Sequence, residues 1–270
     1  MSQLEQNQVT NTKTSASVKQ SACRLGFWTA ILIAVTAASA LVIATTTAPA
    51  RSGPNCPPLV KLGIVESCVE YPYTDVADFV PIEYIWMYPA LLMALLFVVL
   101  VTCIHYYATD DKKIFTHIGL SFALLSAAVH TINYFIQLAV MQPSLLKGEL
   151  QGLSLFSQYN PHGIFIALED AGYLMMGVAF LFVALAFGRR KRLENVIRYI
   201  FIISSVLAVG SLIVLALLYR SDLEYRYEVV VIVIDWITLI VSGALLSLFF
   251  KQACRVLSKE EANRIGGISR

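Results

Sequence analysis

Residues 82–107 read IEYIWMYPALLMALLFVVLVTCIHYY. This stretch contains no Lys or Arg, and Glu83 is its only carboxylate. About 20 consecutive apolar residues are enough for a helix to cross the hydrocarbon core of a bilayer. The stretch is therefore predicted to be a transmembrane helix, and it indicates the fold class of the whole chain.

Five further apolar stretches of similar length are predicted to be spans, at Phe27–Ala48, Phe115–Met141, Gly163–Phe187, Val196–Tyr219 and Tyr227–Phe250. The chain of 270 residues is 57% hydrophobic and 14% charged, whereas a soluble domain is usually about 25% charged. We predict an all-α, polytopic membrane bundle of six transmembrane helices over residues 25–252. Residues 1–24 are predicted to form a disordered cytoplasmic tail, and residues 253–270 a second cytoplasmic tail.

The first predicted span shares one feature with a secretory signal, because Ala48-Pro49-Ala50 has the small residues of a cleavage site. However, the long polar segment 1–24 precedes the span, and its apolar stretch is longer than the core of a signal peptide. We expect the span to be retained.

Basic residues indicate the orientation of the bundle. Fifteen of the 20 Lys and Arg residues fall in or beside the two tails and the loops after the second and fourth spans, with Arg198 just inside the fifth span and Lys251 just after the sixth. Loops rich in Lys and Arg stay in the cytoplasm, so both termini are predicted to be cytoplasmic and the protein to lie in the cell (plasma) membrane. The net charge of +2 is too small to suggest nucleic acid as a partner.

The five cysteines divide between the two predicted faces. Cys56 and Cys68 lie in the first external loop, where a disulfide can persist, and we predict that they are bonded. Cys23, Cys103 and Cys254 lie near cytoplasmic ends of spans, where we expect inert thiols.

The third span carries a polar stripe. Ser126, His130, Asn133 and Gln137 follow at helical spacing and so share one face. In lipid such a stripe must face other helices or water. It fits equally a seam of interhelical hydrogen bonds and a site for a ligand or proton.

Carboxylates occur in the fourth and sixth spans. Glu169, Asp170 and Tyr173 lie near the outer end of one span, and Asp235 lies near the outer end of the other. Ionisable residues within spans usually face a cavity, a partner or a pathway. We predict that these four residues, with His130, Asn133 and Gln137, form a ligand or proton pocket that opens to the external side or the outer leaflet and is closed by the apolar inner halves of the spans.

Glu83 opens the second span and is expected to be exposed at the membrane surface. Trp86 and Tyr88 follow it and fit an interfacial aromatic belt, or else the mouth of the pocket. The loop before the fourth span, with leucines at regular intervals, predicts a short interfacial helix. The sequence shows no metal-ligand spacing and no cofactor motif, so we predict neither a metal nor a cofactor.

Two segments, HTINYFIQ at residues 130–137 and YNPHGIFIALEDAGY at residues 159–173, resemble those of a group of uncharacterised microbial multi-pass membrane proteins. The resemblance covers about a fifth of the chain and implies a membrane bundle without implying an activity.

Three functions therefore stay open. The pocket would bind or transport a small or amphipathic ligand, with coupling to protons as one form of this hypothesis. Alternatively, its carboxylates would perform acid–base chemistry on a lipid or isoprenoid, which would make the protein an enzyme. Alternatively, the polar residues would only join helices in a structural or sensory subunit. The lipid bilayer is the one partner common to all three.

Overall fold

The structure, a computed structural model, describes residues 3–189 and 191–268, with side chains for residues 17–189 and 191–259. Eight α-helices occur within these residues, and no strand does. They are α1 Gln3–Thr47, α2 Cys56–Lys61, α3 Met87–Tyr107, α4 Lys113–Ile136, α5 Gln142–Lys147, α6 Ile164–Ala184, α7 Arg192–Tyr219 and α8 Tyr225–Ile268.

Six segments of the described chain are long and apolar enough to cross a membrane: Ser17–Thr47, Ile82–Tyr107, Asp110–Lys147, Ile164–Ala184, Arg192–Asp222 and Tyr225–Lys259. Each overlaps one of the six predicted spans, so the predicted all-α, multi-pass fold is confirmed. The protein is an integral membrane protein. The cytoplasmic location of its termini and the choice of the plasma membrane stay predictions.

Helix α6 occupies the middle of the bundle, in contact with α4, α7 and α8. Helix α1 packs between α3 and α8, while α3 also contacts α4 and α7 also contacts α8. Glycines allow some of these contacts to be close. A Cβ atom on Gly243 of α8 would lie 2.7 Å from the backbone oxygen of Ala30, so the backbones of α8 and α1 nearly touch there.

Two disulfides join cysteine pairs of the chain. The predicted bond between Cys56 and Cys68 is confirmed. A second bond joins Cys23 of α1 to Cys254 of α8, and the expectation of inert thiols at these two positions is therefore wrong. Cys103 is free and buried. We call the end of the bundle with Cys23 and Cys254 the termini end, and the end with Cys56 and Cys68 the loop end.

Helix α1 continues without a break through the segment that the sequence predicted to be a disordered tail. Ala22 and Cys23 are buried, so packed helix begins before the predicted boundary at residue 25. The remaining division of the chain into tails and a transmembrane domain stays a prediction.

The loop between α4 and α6 contains the short helix that its leucines predicted. Leu145 of α5 is buried, whereas the neighbouring Leu146 is exposed, which is the pattern of an amphipathic segment. The loop ends in a turn in which the Oδ1 atom of Asn160 accepts a hydrogen bond from the backbone N–H of His162. Helix α6 starts directly after this turn, with Gly163 as its N-terminal cap residue.

Candidate ligand cavity at the loop end

A cavity of about 320 Å³ lies at the loop end of the bundle. Its sides are formed by the last turns of α1 and the first turns of α8, and Glu169 and Phe165 of α6 also line it. Glu83 and Trp86, at the start of the second span, complete the wall on the far side. Most of the remaining wall is apolar.

Helices α1 and α8 are in close contact toward the termini end, below the cavity. There, a Cβ atom on Gly26 would lie 2.6 Å from the ring of Phe250, and the Cys23–Cys254 disulfide joins the same two helices. Toward the loop end the two helices are lined by Thr45, Val229 and Val233, which border the cavity and are exposed. Exposed residues of a membrane-spanning helix face lipid, so the cavity opens sideways toward the bilayer.

Loop residues cover the cavity on the side of the aqueous phase. The hydroxyl of Ser52 donates a 2.6 Å hydrogen bond to the backbone oxygen of Tyr159 and lies 2.8 Å from the hydroxyl of Tyr225. The Tyr225 hydroxyl in turn donates to the backbone oxygen of Gln158. Ser52, Tyr159 and Tyr225 are all buried, so this network forms a roof that ties the first and third loops to α8.

A buried ion pair stands beneath the roof. The Nε atom of Arg51 lies 2.6 Å from Oε1 of Glu83, and the Arg51 guanidinium lies 3.7 Å from the centre of the Phe79 ring. The second oxygen of Glu83 accepts a 2.8 Å hydrogen bond from the hydroxyl of Tyr159. Burial, together with the charge of Glu83, raises the pKa of Tyr159 well above its ordinary value, so this hydroxyl stays a neutral donor.

The expectation that Glu83 is exposed is therefore wrong. Glu83 is only 4% exposed because Arg51, which precedes it by more than thirty residues, folds back over it from the first loop. Trp86 is also buried and lines the cavity, in agreement with the pocket-mouth interpretation, whereas Tyr88 is exposed as a belt residue would be.

Glu169 is held by one of its two carboxylate oxygens. Oε1 accepts a 2.7 Å hydrogen bond from the hydroxyl of Tyr134 on α4. That hydroxyl lies 2.9 Å from the hydroxyl of Tyr173, which accepts a hydrogen bond from the indole N–H of Trp236. Oε2 of Glu169 is buried and has no hydrogen-bond donor among the described residues.

Glu228 is the functional candidate that the sequence reasoning missed. It is buried, lines the cavity from α8 as Glu169 does from α6, and interacts electrostatically with the Glu169 carboxyl group. The spacing of Glu228 and Asp235, seven residues apart on one helix, was the available signal, since it places both on one face.

Of the seven residues predicted to form the pocket, Glu169 alone lines the cavity. His130 instead packs between α4 and α6, with its ring centre 4.2 Å from that of Tyr173. Its Nδ1 atom lies 3.4 Å from the hydroxyl of Ser126, and its Nε2 atom has no partner among the described residues. A Cβ atom on Gly172 would lie 2.6 Å from that Nε2 atom, so the ring fills the space that the glycine leaves.

Asn133 and Gln137 make hydrogen bonds to backbone oxygens. The side-chain amide of Asn133 donates to Phe165 at 2.9 Å, and that of Gln137 donates to Phe156 at 2.6 Å. These bonds join α4 to the start of α6 and to the loop that precedes it. For this part of the stripe the geometry is that of an interhelical seam.

Asp170 and Asp235 lie outside the cavity lining, although both are near it in sequence. Asp235 is fully buried on α8, and neither of its oxygens has a hydrogen-bond partner among the described residues. Asp170 Oδ1 and the hydroxyl of Tyr227 likewise have none. One turn after Asp235, Thr238 donates a 2.9 Å hydrogen bond to Ser204 of α7.

Across the side chains that the structure describes, no group of three or more His, Cys, Asp or Glu residues is arranged to hold a metal ion. The site is thus an apolar cavity with two neighbouring carboxyl groups, a buried ion pair and two tryptophans. No protein-family model, curated protein or solved structure matches the chain.

Proposed function

We propose that this protein binds an amphipathic molecule that enters the cavity sideways from the bilayer, between α1 and α8. The observation that carries the proposal is the combination of a lipid-facing opening at Thr45, Val229 and Val233 with buried carboxyl groups at Glu169 and Glu228. A ligand that is wholly apolar would leave the carboxyl groups without partners, and a wholly polar one would have to cross the apolar opening.

The size of the cavity fits a ligand whose head group lies inside the cavity while most of its chain lies outside. Ligand pockets range from about 300 to 1,000 Å³, so a volume of about 320 Å³ accepts a head group with a short part of a chain. The rest of the chain would lie between α1 and α8, against residues such as Leu41 and Ile232, and continue into the bilayer.

Binding is favoured over passage through the bundle. Toward the termini end, the close contacts of Gly243 with Ala30 and of Gly26 with Phe250 hold α1 against α8 below the cavity. With the predicted orientation, in which both termini are cytoplasmic, the ligand would come from the outer leaflet of the plasma membrane.

Tryptophan fluorescence tests this proposal directly. The chain has three tryptophans, of which Trp28 is 63% exposed while Trp86 and Trp236 are buried and line the cavity. In a Trp28→Phe background, reconstituted in nanodiscs, lipids brominated on the acyl chain should quench the emission, because a chain that enters the cavity approaches both remaining indoles.

A blocking variant supplies the control. Ala44 lines the cavity and is half-buried on α1, and Ala38 on the same helix is also half-buried but lies outside the cavity lining. Ala44→Phe should remove most of the quenching, and Ala38→Phe should leave it unchanged. Equal quenching in the two variants, or no quenching in the parent protein, would contradict the proposal.

A further inference from the structure

We infer that the cavity selects amphiphiles whose head group is a protonated amine. This inference rests on the proposed function, since it names the class of ligand for the same cavity. Its basis is the inventory of charges and free hydrogen-bonding atoms on the cavity wall.

The charges on the wall leave an excess of carboxyl groups. Among the lining residues in the described chain, Glu83, Glu169 and Glu228 are acidic, and Arg51 is basic. Arg51 is already bound to Glu83 at 2.6 Å and stacked on Phe79, so it offers little to an anionic head group. Glu169 and Glu228 have no basic partner in the cavity.

The free atoms on the wall are acceptors. Oε2 of Glu169 is buried without a donor, and a buried carboxyl oxygen without a partner is costly. A primary ammonium group has three N–H donors and no acceptor. Placed between Glu169 and Glu228, both of which line the cavity, it would donate hydrogen bonds to both carboxyl groups. A hydroxyl head group has one donor and would satisfy one carboxyl group at most.

The aromatic wall favours the same head group. Trp86 and Trp236 both line the cavity, and their ring centres lie 6.1 Å apart. Indole faces attract cations within about 6 Å of the ring centre and have no such attraction for anions. A cation in the cavity would therefore share its wall with two indole rings.

The depth of the carboxyl groups fits a membrane amine. Glu228 lies about 5 Å along α8 from Tyr225, where the helix begins. Glu169 lies about 9 Å along α6 from the N-cap residue Gly163. The ammonium group would thus remain close to the membrane interface, while its hydrocarbon chain extends deeper between α1 and α8.

The experiment compares four amphiphiles with the same twelve-carbon chain: dodecylammonium, dodecanol, dodecanoate and dodecyltrimethylammonium. Each is titrated into the Trp28→Phe protein in nanodiscs of zwitterionic lipid at neutral pH, with indole fluorescence as the readout. We expect saturable binding of dodecylammonium. The affinities of the other three should be at least about tenfold lower, because the loss of one charge-assisted hydrogen bond weakens binding by about this factor.

Two substitutions locate the site of binding. Glu228→Gln should weaken the binding of dodecylammonium by about tenfold or more, because it removes a charge from the carboxyl pair. Glu224→Gln is the matched control: it removes the same charge four residues earlier, from a side chain that pairs with Arg226 outside the cavity. It should leave the affinity unchanged. If Glu228→Gln fails to fold, Glu169→Gln tests the other member of the pair.

The outcomes separate this inference from the function on which it rests. Equal or tighter binding of dodecanol or dodecanoate, abolished by Ala44→Phe, would overturn the amine while the amphiphile cavity stands. Equal binding of dodecyltrimethylammonium, or equal effects of Glu228→Gln and Glu224→Gln, would overturn the role of hydrogen bonds to the carboxyl pair. If none of the four binds and brominated lipids do not quench, the proposed function fails as well.

Discussion

The hydroxyl of Tyr134 donates a 2.7 Å hydrogen bond to Oε1 of Glu169, which leaves Oε2 of the same carboxyl group free of any donor in the described chain. Helix α4 thus orients a carboxyl group that belongs to α6, and the free oxygen is the one available to a ligand. The Tyr134 hydroxyl is itself supported by Tyr173, whose hydroxyl accepts the indole N–H of Trp236. Three helices therefore determine the position of one carboxyl group.

Tyr134→Phe should weaken both the bundle and the site. The substitution removes the donor to Glu169 and a contact with Tyr173 without changing the ring. We expect the free energy of unfolding to fall by about 1–3 kcal/mol, because a buried carboxyl oxygen loses its partner. Binding of dodecylammonium should weaken severalfold, because the carboxyl group is no longer oriented.

Denaturation followed by circular dichroism and the fluorescence titration measure these two effects. Tyr88→Phe is the control, because Tyr88 is 58% exposed on the membrane side of α3. An unchanged affinity in Tyr134→Phe would show that the hydrogen bond does not orient the site.

Arg51→Gln should destabilise the loop end. Arg51 and Glu83 form a buried pair, with side chains 19% and 5% exposed, and removing one partner of a buried pair costs about 3–5 kcal/mol. The remaining 2.8 Å hydrogen bond from Tyr159 satisfies only one oxygen of Glu83. The double variant Arg51→Gln/Glu83→Gln should recover most of the loss, because no uncompensated charge remains.

The melting temperatures of these variants in detergent measure how much the ion pair contributes to stability. Lys113→Gln is the matched control, because it breaks an ion pair with Asp110 that is open to solvent and should leave the melting temperature unchanged. A double variant that is less stable than Arg51→Gln would contradict this account of the pair.

Gly172→Ala tests whether His130 is a packing residue. The added Cβ atom would lie 2.6 Å from Nε2 of His130, and the imidazole has no free space to retreat because it packs against Tyr134 and Tyr173. We expect a loss of about 1–3 kcal/mol in the free energy of unfolding from overpacking.

Gly210→Ala on α7 is the control for Gly172→Ala, since its Cβ would meet nothing within 4 Å. It should be neutral or stabilise the helix by about 0.5–1 kcal/mol. If Gly172→Ala is as stable as Gly210→Ala, the imidazole of His130 does not fill the space between α4 and α6, and the packing role of His130 is contradicted.

The sequence predicted the six spans because hydropathy and length alone decide which helices can cross a bilayer. It could not show which side of α6 faces the cavity, and so it grouped Glu169 with His130, which lies in the contact between α4 and α6. Helical spacing identifies a shared face but not the neighbour of that face.

Long-range contacts explain the residues that the sequence reasoning misjudged. Glu83 looked exposed because its position suggests the membrane surface, and nothing local reveals that Arg51 covers it. Glu228 was passed over because it follows Arg226 at the very start of a span, where a carboxylate is expected in water. Glu228 is buried, and it lines the same cavity as the roof residues Ser52, Tyr159 and Tyr225, which come from three separate parts of the chain.

The two disulfides give a test of the predicted orientation. Cys56–Cys68 and Cys23–Cys254 lie at opposite ends of the bundle, and therefore on opposite sides of the membrane. If both termini are cytoplasmic, Cys23 and Cys254 face a compartment that keeps thiols reduced, whereas Cys56 and Cys68 face one that allows disulfides to persist. We therefore expect Cys56–Cys68 to be bonded in the cell and Cys23–Cys254 to form only after the protein is removed from it.

Lysis of intact cells in denaturant that contains a maleimide labels every free thiol, including the buried ones, and the intact mass of the purified protein then counts the labels. The expected result is three labels, on Cys23, Cys103 and Cys254, and the double variant Cys23→Ser/Cys254→Ser should carry only the label on Cys103. Unlabelled Cys23 and Cys254, with labelled Cys56 and Cys68, would reverse the orientation and place the cavity in the cytoplasmic leaflet.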